Sequence, residues 1–177
     1  MPKKYDIICL NEVDSTNKYV KMHIDELDNL SVVSALTQTE GRGQGDHKWH
    51  SNPGENLLFS ILLKHPDILP AEQARISDAV AQSVVELLEK YGIEAWIKPP
   101  NDIWVGDKKI CGILIEHSLR AGRILWTIIG IGLNVNQTSF PADLPNPTSM
   151  AILKEGGNLD DILSEFMEIF THTSLLR

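Results

Sequence analysis

Residues 98–116 read KPPNDIWVGDKKICGILIE, and this stretch decides the fold class. A short apolar run that starts at Ala95 ends at Lys98, because Pro99 and Pro100 have no backbone N–H to give to a sheet ladder. Ile103–Val105 resumes extended chain, Gly106-Asp107 is a tight-turn dipeptide, and Lys108–Glu116 returns as a mainly apolar strand. Strands joined by so short a turn are antiparallel neighbours, since a parallel pair needs a crossover of about a dozen residues or more.

Working outward, Arg123–Gly132 reads as a further buried strand, so several strands follow each other without a helix between them. Upstream, Pro70–Tyr91 is the clearest helix. Pro70 lies near its start, Gly92 ends it, and Ile76, Val80, Val84, Leu87 and Leu88 share one face. Tyr5–Leu10, Ser31–Thr37 and Leu57–Lys64 read as strands. Thr16–Leu27 reads as a helix capped by Asp14 and Ser15, with Tyr19, Val20, Ile24 and Leu27 as its apolar stripe. A proline-rich loop at Phe140–Pro147 and a helix at Leu159–Phe170 complete the chain. The expected fold is α+β, one domain over residues 1–177, with a mixed sheet and helices mainly on one face. The order does not suggest a doubly wound parallel sheet.

The chain has 177 residues, 42% of them hydrophobic, with a formal net charge of −8. That size buries a sizeable core. The acidic total argues against a surface built for non-specific nucleic-acid binding, which rests on phosphate neutralisation. Cys9 and Cys111 sit in apolar strand-like runs and are expected to be buried, reduced thiols. MPKKYDII lacks the apolar stretch of a signal peptide, and no run is long enough to span a bilayer, so the expected compartment is the cytoplasm. The sequence contains no GxxxxGK[ST], GxGxxG, GxSxG or HExxH, so nucleotide chemistry must use another architecture.

Four polar clusters stand at the ends of the predicted strands. They are DSTN at 14–17, TQTEGRGQGDHKW at 37–49, KPPNDIW at 98–104 followed by KKICGIL at 108–114, and GIGLNVN at 130–136. Singly, each has a plain structural reading. Ser15-Thr16-Asn17 caps a helix, the glycine-rich run is a surface turn, Gly130 and Gly132 mark a bulge or a close backbone approach, and Lys108 and Lys109 form a solvated hairpin face. The polar stretch Gln38–Asn56 is long for a structureless loop in a compact domain, which points to function.

In this order and at these spacings, the clusters resemble the biotin protein ligase family, over roughly residues 5 to 170. The family pattern is Ser-Thr-Asn after the first strand, a Gln, a Gly-Arg-Gly loop ending in Trp, a Lys-Trp-Pro-Asn-Asp hairpin with a Lys before Gly-Ile-Leu, and Gly-x-Gly-x-Asn. The resemblance implies that biotin is activated by ATP with Mg²⁺ as biotinyl-5'-AMP, then passed to a lysine of a biotin carboxyl carrier domain of a biotin-dependent carboxylase. It also implies the catalytic-domain fold shared with lipoate ligases and class II aminoacyl-tRNA synthetases.

By the same resemblance, biotin contacts fall to Ser15, Thr16, Asn17, Gln38, Gly41, Arg42, Trp49, Lys109 and Gly112. Contacts with ATP or the adenylate fall to Arg42, Gly43, Gln44, Lys48, Trp49, Asn101, Lys109, Gly132 and Asn134. The chemistry of these types suits the task. Hydroxyls and amides match a ureido head whose polar atoms cannot be buried unpaired. Glycines let backbone N–H groups approach phosphate, and Arg42 adds a forked charge. Lys109 is the expected electrostatic catalyst, turned into the site, with Lys108 facing solvent. Gly112 is expected to leave room for the ligand tail. Trp49 is either part of the biotin wall or a plain core tryptophan. Asp102 either orients or deprotonates the acceptor lysine or holds the hairpin turn. No residue is assigned as a protein-held metal ligand.

Three residues depart from the pattern. Gln44 and His47 stand where many members have Arg, which thins the loop's charge. Pro99 replaces the usual Trp, removing an aromatic expected on the pocket floor. No helix-turn-helix pattern precedes residue 5, so no DNA partner is expected, and the β-rich C-terminal domain usual in the family is expected to be absent or truncated. Membranes are not expected partners, and a monomer or a homodimer is equally open. The competing readings are a lipoate or octanoate ligase or transferase of the same fold and a non-catalytic biotin-binding sensor.

Overall fold

The computed structural model describes residues 4–177. Its strands are β1 (Ile7–Val13), β2 (Val32–Gln38), β3 (Leu57–Lys64), β4 (Trp96–Lys98), β5 (Asp102–Val105), β6 (Lys108–Arg120) and β7 (Arg123–Leu133). They form one seven-stranded sheet in the order β1-β2-β3-β7-β6-β5-β4. β1 and β2 are parallel and the other neighbours antiparallel, so the sheet is mixed as expected.

Helices α2 (Ala74–Lys90) and α4 (Leu159–Thr171) cover one face. There Leu57, Phe59, Ile61 and Leu63 of β3 alternate inward with Ile129, Ile131 and Leu133 of β7, and Phe166 of α4 meets Phe59 edge-on with ring centres 5.3 Å apart. Alternation turns Ser60, Leu62, Ile128, Gly130 and Gly132 to the opposite face. On that face the short α1 (Thr16–Met22) packs, its Val20 meeting Leu62 and Ile128, with Leu27 from the turns that follow in the same cluster. The part of this second face that α1 leaves uncovered is where the candidate site lies.

Several elements differ from the sequence reading. α1 stops at Met22: His23 leaves helical geometry, its Nδ1 lies 2.8 Å from the Tyr19 carbonyl and its ring stacks on Tyr19, so Ile24 and Leu27 follow in turns. Pro70–Glu72 is a separate 3₁₀ turn ahead of α2. β6 runs past Glu116 to Arg120, because the turn at Ala121-Gly122 (φ 50° and 74°) lets polar residues keep the ladder with β7. A one-turn helix, α3 (Met150–Leu153), follows the proline-rich loop, capped by Ser149, and was not expected. Cys111 is buried, but Cys9 is exposed, which corrects its reading as a buried thiol. β1 is an edge strand, and the helices that cover Ile7 do not reach Cys9. Among the described residues, no helix is long and apolar enough to cross a membrane.

Candidate active site

The first corner of the site is the N-terminal turn of α1. Ser15 caps the helix, and Ser15, Thr16 and Asn17 are each 3% exposed. Asp14 accepts from the Ser15 N–H at 2.7 Å and pairs with Lys18 at 2.7 Å, and the Lys18 hydrogen bond holds its carboxyl below the usual range. Gln38, at the end of β2, accepts through Oε1 from the Thr16 N–H at 2.8 Å. The Asn17 carboxamide fills the space above Gly130, where an added Cβ would stand 2.4 Å from Oδ1. Asn17 Nδ2 donates to the Leu114 carbonyl (3.3 Å) and to Glu116 Oε2 (3.0 Å), and Glu116 Oε1 lies 3.9 Å from Arg42 Nη1.

The second corner is the polar stretch after β2. It is not an open loop. Trp49 N–H donates to Gly41, Gly43 N–H to His47 and His47 N–H to Gln44, so residues 41–49 fold into a narrow ribbon with Gly45 (φ 61°) at its tip. Its base is pinned on both sides. Thr39 and Glu40 N–H donate to Val13 and Asp14, and beyond Trp49 the buried pair Asn56 and Gln137 ties residues 51–56 to Val135. At its far end Gln44 Nε2 donates to Asn101 Oδ1 at 2.7 Å, so the ribbon bridges the gap between the α1 corner and the β4–β5 turn.

Trp49 folds back from the ribbon onto the sheet. An added Cβ at Gly112 would stand 2.8 Å, and at Gly132 2.6 Å, from its indole. These glycines are cross-strand partners, so together they make a flat seat for one ring. The missing side chain at Gly112 makes room for Trp49, and Gly112 also lines the cleft. The indole Nε1 is buried with no hydrogen-bond partner.

The third corner is the β5–β6 hairpin. Lys109 Nζ pairs with Asp102 Oδ1 at 3.1 Å and lies 5.7 Å from the centre of the Trp49 ring. Lys98 Nζ sits 3.9 Å over the Trp104 ring. The three corners enclose a cleft of about 470 Å³, within the range of small-molecule sites. Among the described residues, no group of three or more His, Cys, Asp and Glu is placed to hold a metal ion.

Residues 10–134, well over half of the chain, match the biotin/lipoate A/B protein ligase family. The chain belongs to this family. Within it, the likeness is to biotin protein ligases. The bifunctional ligase/repressor BirA of Bacillus spizizenii is 38% identical over 133 residues, which cover 73% of this chain and 41% of that protein. The BirA of Escherichia coli K12 is 31% identical over 155 residues, 87% of this chain and 48% of that protein. The chain thus spans under half the length of these relatives. A biotin protein ligase from Aquifex aeolicus, solved in complex with biotin and ATP, superposes with a TM-score of 0.79 at 30% identity, over 94% of this chain and 68% of that one. P. falciparum LipL1, solved with lipoate, shares the fold alone, at 9% identity and a TM-score of 0.61.

Of the residues that the resemblance to biotin protein ligases singled out, the cleft brings together Ser15, Thr16, Asn17, Gln38, Arg42, Gly43, Gln44, Lys48, Trp49, Asp102, Lys109, Gly112 and Gly132. Three stand back from it. Gly41 is buried in the ribbon's base, where an added Cβ would meet the Trp49 carbonyl at 2.5 Å. Asn101 holds Gln44. Asn134 is 3% exposed, and its Nδ2 donates to the Thr148 carbonyl, so its amide serves the approach to α3. Lys108 is exposed, as expected. Pro99 is also exposed and off the cleft, so its exchange for Trp does not leave the cleft wall without an aromatic; Trp104 is there.

The family motifs pointed to neither Ser60 nor Glu116. Ser60 hides within the apolar run of β3 and Glu116 closes the apolar run of β6. For Ser60 the available signal was a lone polar residue, at the site-facing parity, within an apolar run; Glu116 is followed directly by His117 and Ser118 and stands out in no such way.

Proposed function

We propose that this member of the biotin/lipoate A/B protein ligase family activates biotin with ATP as biotinyl-5'-AMP. It then transfers the biotinyl group to a lysine of a carrier protein, the carboxyl carrier domain of a biotin-dependent carboxylase. The observation that carries this reading is that Lys109 lies in one cleft with both the Thr16-Asn17-Gln38 corner and the Arg42 ribbon. A ligand head bound at the first corner and a nucleotide under the ribbon would bring a carboxylate and an α-phosphate together beside that ammonium.

The first step joins two anions: a carboxylate oxygen attacks the α-phosphorus and pyrophosphate leaves. Repulsion and disorder are the main obstacles, and positioned cations offset both. Lys109 supplies a compact charge between the two groups, and Arg42 a forked one. Asp102 pairs with Lys109 at 3.1 Å and so orients the ammonium that a substrate carboxylate would meet. The ribbon would cover the mixed anhydride and limit its hydrolysis. In the second step the acceptor ammonium gives up a proton, the resulting amine attacks the acyl carbon and AMP leaves; to Asp102, at the mouth of the β5–β6 hairpin, we assign the task of orienting the acceptor and taking that proton. Among the described residues no group of three or more His, Cys, Asp and Glu is placed to hold magnesium, so none is assigned a metal contact, and the ion is taken to enter on the nucleotide.

Incubation with biotin and Mg-ATP should yield biotinyl-AMP by mass detection, and pyrophosphate exchange should depend on biotin. Exchange driven by lipoate or octanoate alone overturns the choice of substrate. Binding of biotin without any adenylate makes the protein a sensor rather than a ligase.

A further inference from the structure

Ser60 lies behind the cleft, 0% exposed, in the middle of β3. Its hydroxyl touches two residues of the α1 corner, Thr16 Oγ1 at 2.7 Å and Asn17 Oδ1 at 2.6 Å. One hydroxyl proton cannot serve both contacts. The surroundings decide which it serves. Asn17 Nδ2 faces two acceptors, the Leu114 carbonyl and the Glu116 carboxylate, so the carboxamide has only one orientation and Oδ1 must point to Ser60. A carbonyl oxygen has no proton, so the 2.6 Å contact takes the proton of Ser60. The 2.7 Å contact must then take the proton of Thr16. Gln38 Oε1 is already satisfied by the Thr16 N–H at 2.8 Å, and the longer 3.2 Å approach of Thr16 Oγ1 to the same atom needs no second proton.

We infer that Ser60 is a positioning residue that sets the specificity of the cleft: by drawing the Thr16 proton inward it leaves Thr16 Oγ1 facing the ligand as a hydrogen-bond acceptor. Such a site selects a ligand head that carries an N–H donor, the chemistry of a cyclic urea, and disfavours a head without one. This rests on the reading of the cleft as a biotin site and names the device by which that site recognises its head group. The relay runs from Glu116 through Asn17 and Ser60 to Thr16, across three elements. An unmade hydrogen bond at a buried polar atom is what converts one proton's direction into discrimination.

The test is titration calorimetry of the full chain with biotin, with biotin methylated at its ureido nitrogens, and with ATP, using the unmodified protein, Ser60→Ala and Ser60→Cys. Thermal melts run alongside. The unmodified protein should prefer biotin to the methylated form. Ser60→Ala should bind biotin about tenfold more weakly and narrow that preference, with ATP binding unchanged. Where biotin-dependent exchange is measurable, KM for biotin should rise while kcat holds. Ser60→Cys, of similar shape but a weak donor, should fall between and decides the matter if the alanine variant does not fold. Equal biotin binding in all three proteins overturns the inference, as does a parallel loss of biotin and ATP binding. No biotin binding by the unmodified protein overturns instead the functional reading beneath it.

Discussion

At the scale of single residues, the proposed function rests most heavily on Lys109, one of the cations that line the cleft. Lys109→Ala should lower biotinyl-AMP formation by at least about a hundredfold while biotin binding survives in part; adenylate yield and calorimetry on the same sample check this. Asp102→Asn removes the counter-charge that sits 3.1 Å from Lys109, so adenylate formation should persist and transfer to a carrier lysine should fall. Single-turnover transfer from preformed biotinyl-AMP separates the two steps. Lys109, Arg42 and Trp49 were legible in the sequence because their neighbours in the chain form a recognisable spacing. Ser60 and Glu116 were not, because their partners lie 43 or 44 and 99 positions away and no motif spacing marks them; the one local sign of Ser60 was its polarity within the apolar run of β3.

At the scale of elements, β6 and β7 make the floor by what they lack. Gly112 and Gly132 face each other across the ladder beneath one indole, and Gly130 lies beneath Asn17. Gly132→Ala should displace Trp49 and cost about 1–3 kcal/mol of stability, read as a lower urea midpoint and a shifted tryptophan emission. A second joint ties the helices on the far face. Tyr91, just after α2, donates to Glu165 of α4 at 2.8 Å, and burial with that carboxylate pushes its phenol up to about 12. A folded-state value raised above the usual 10 adds stability that is complete below pH 10 and is lost as pH rises toward 12. The unmodified protein should therefore lose more stability between pH 9 and pH 11.5 than Tyr91→Phe does, measured by urea denaturation at each pH.

At the scale of the whole molecule, the sheet has a packed face and a working face. α2 and α4 bury one side, and the short α1 leaves the middle of the other open to the ribbon. Because Gln44 reaches Asn101, the ribbon is a bridge with a weak outer fastening, a single amide contact at an exposed tip. Trypsin should cut after Arg42 or Lys48 in the free protein, and biotin with Mg-ATP should slow that cleavage about tenfold. Gln44→Ala should speed cleavage of the free protein without moving its thermal midpoint. Equal cleavage rates with and without ligands would show that the ribbon does not close over them.

The sequence by itself determined the strands, the two long helices, the hairpin at 98–116 and the membership of four polar clusters in one site. Each of these is carried by local periodicity, turn chemistry or motif spacing. Only the tertiary structure decided which way each polar atom faces. The parity of β3, β6 and β7 turned three glycines into seats for Trp49 and Asn17 and placed Ser60 beneath Thr16, while the Thr148 carbonyl, just past the end of β7, drew the Asn134 amide away from the cleft. Those outcomes depend on contacts between residues far apart in the chain, and a hydrogen bond has a direction that a residue's type alone does not specify.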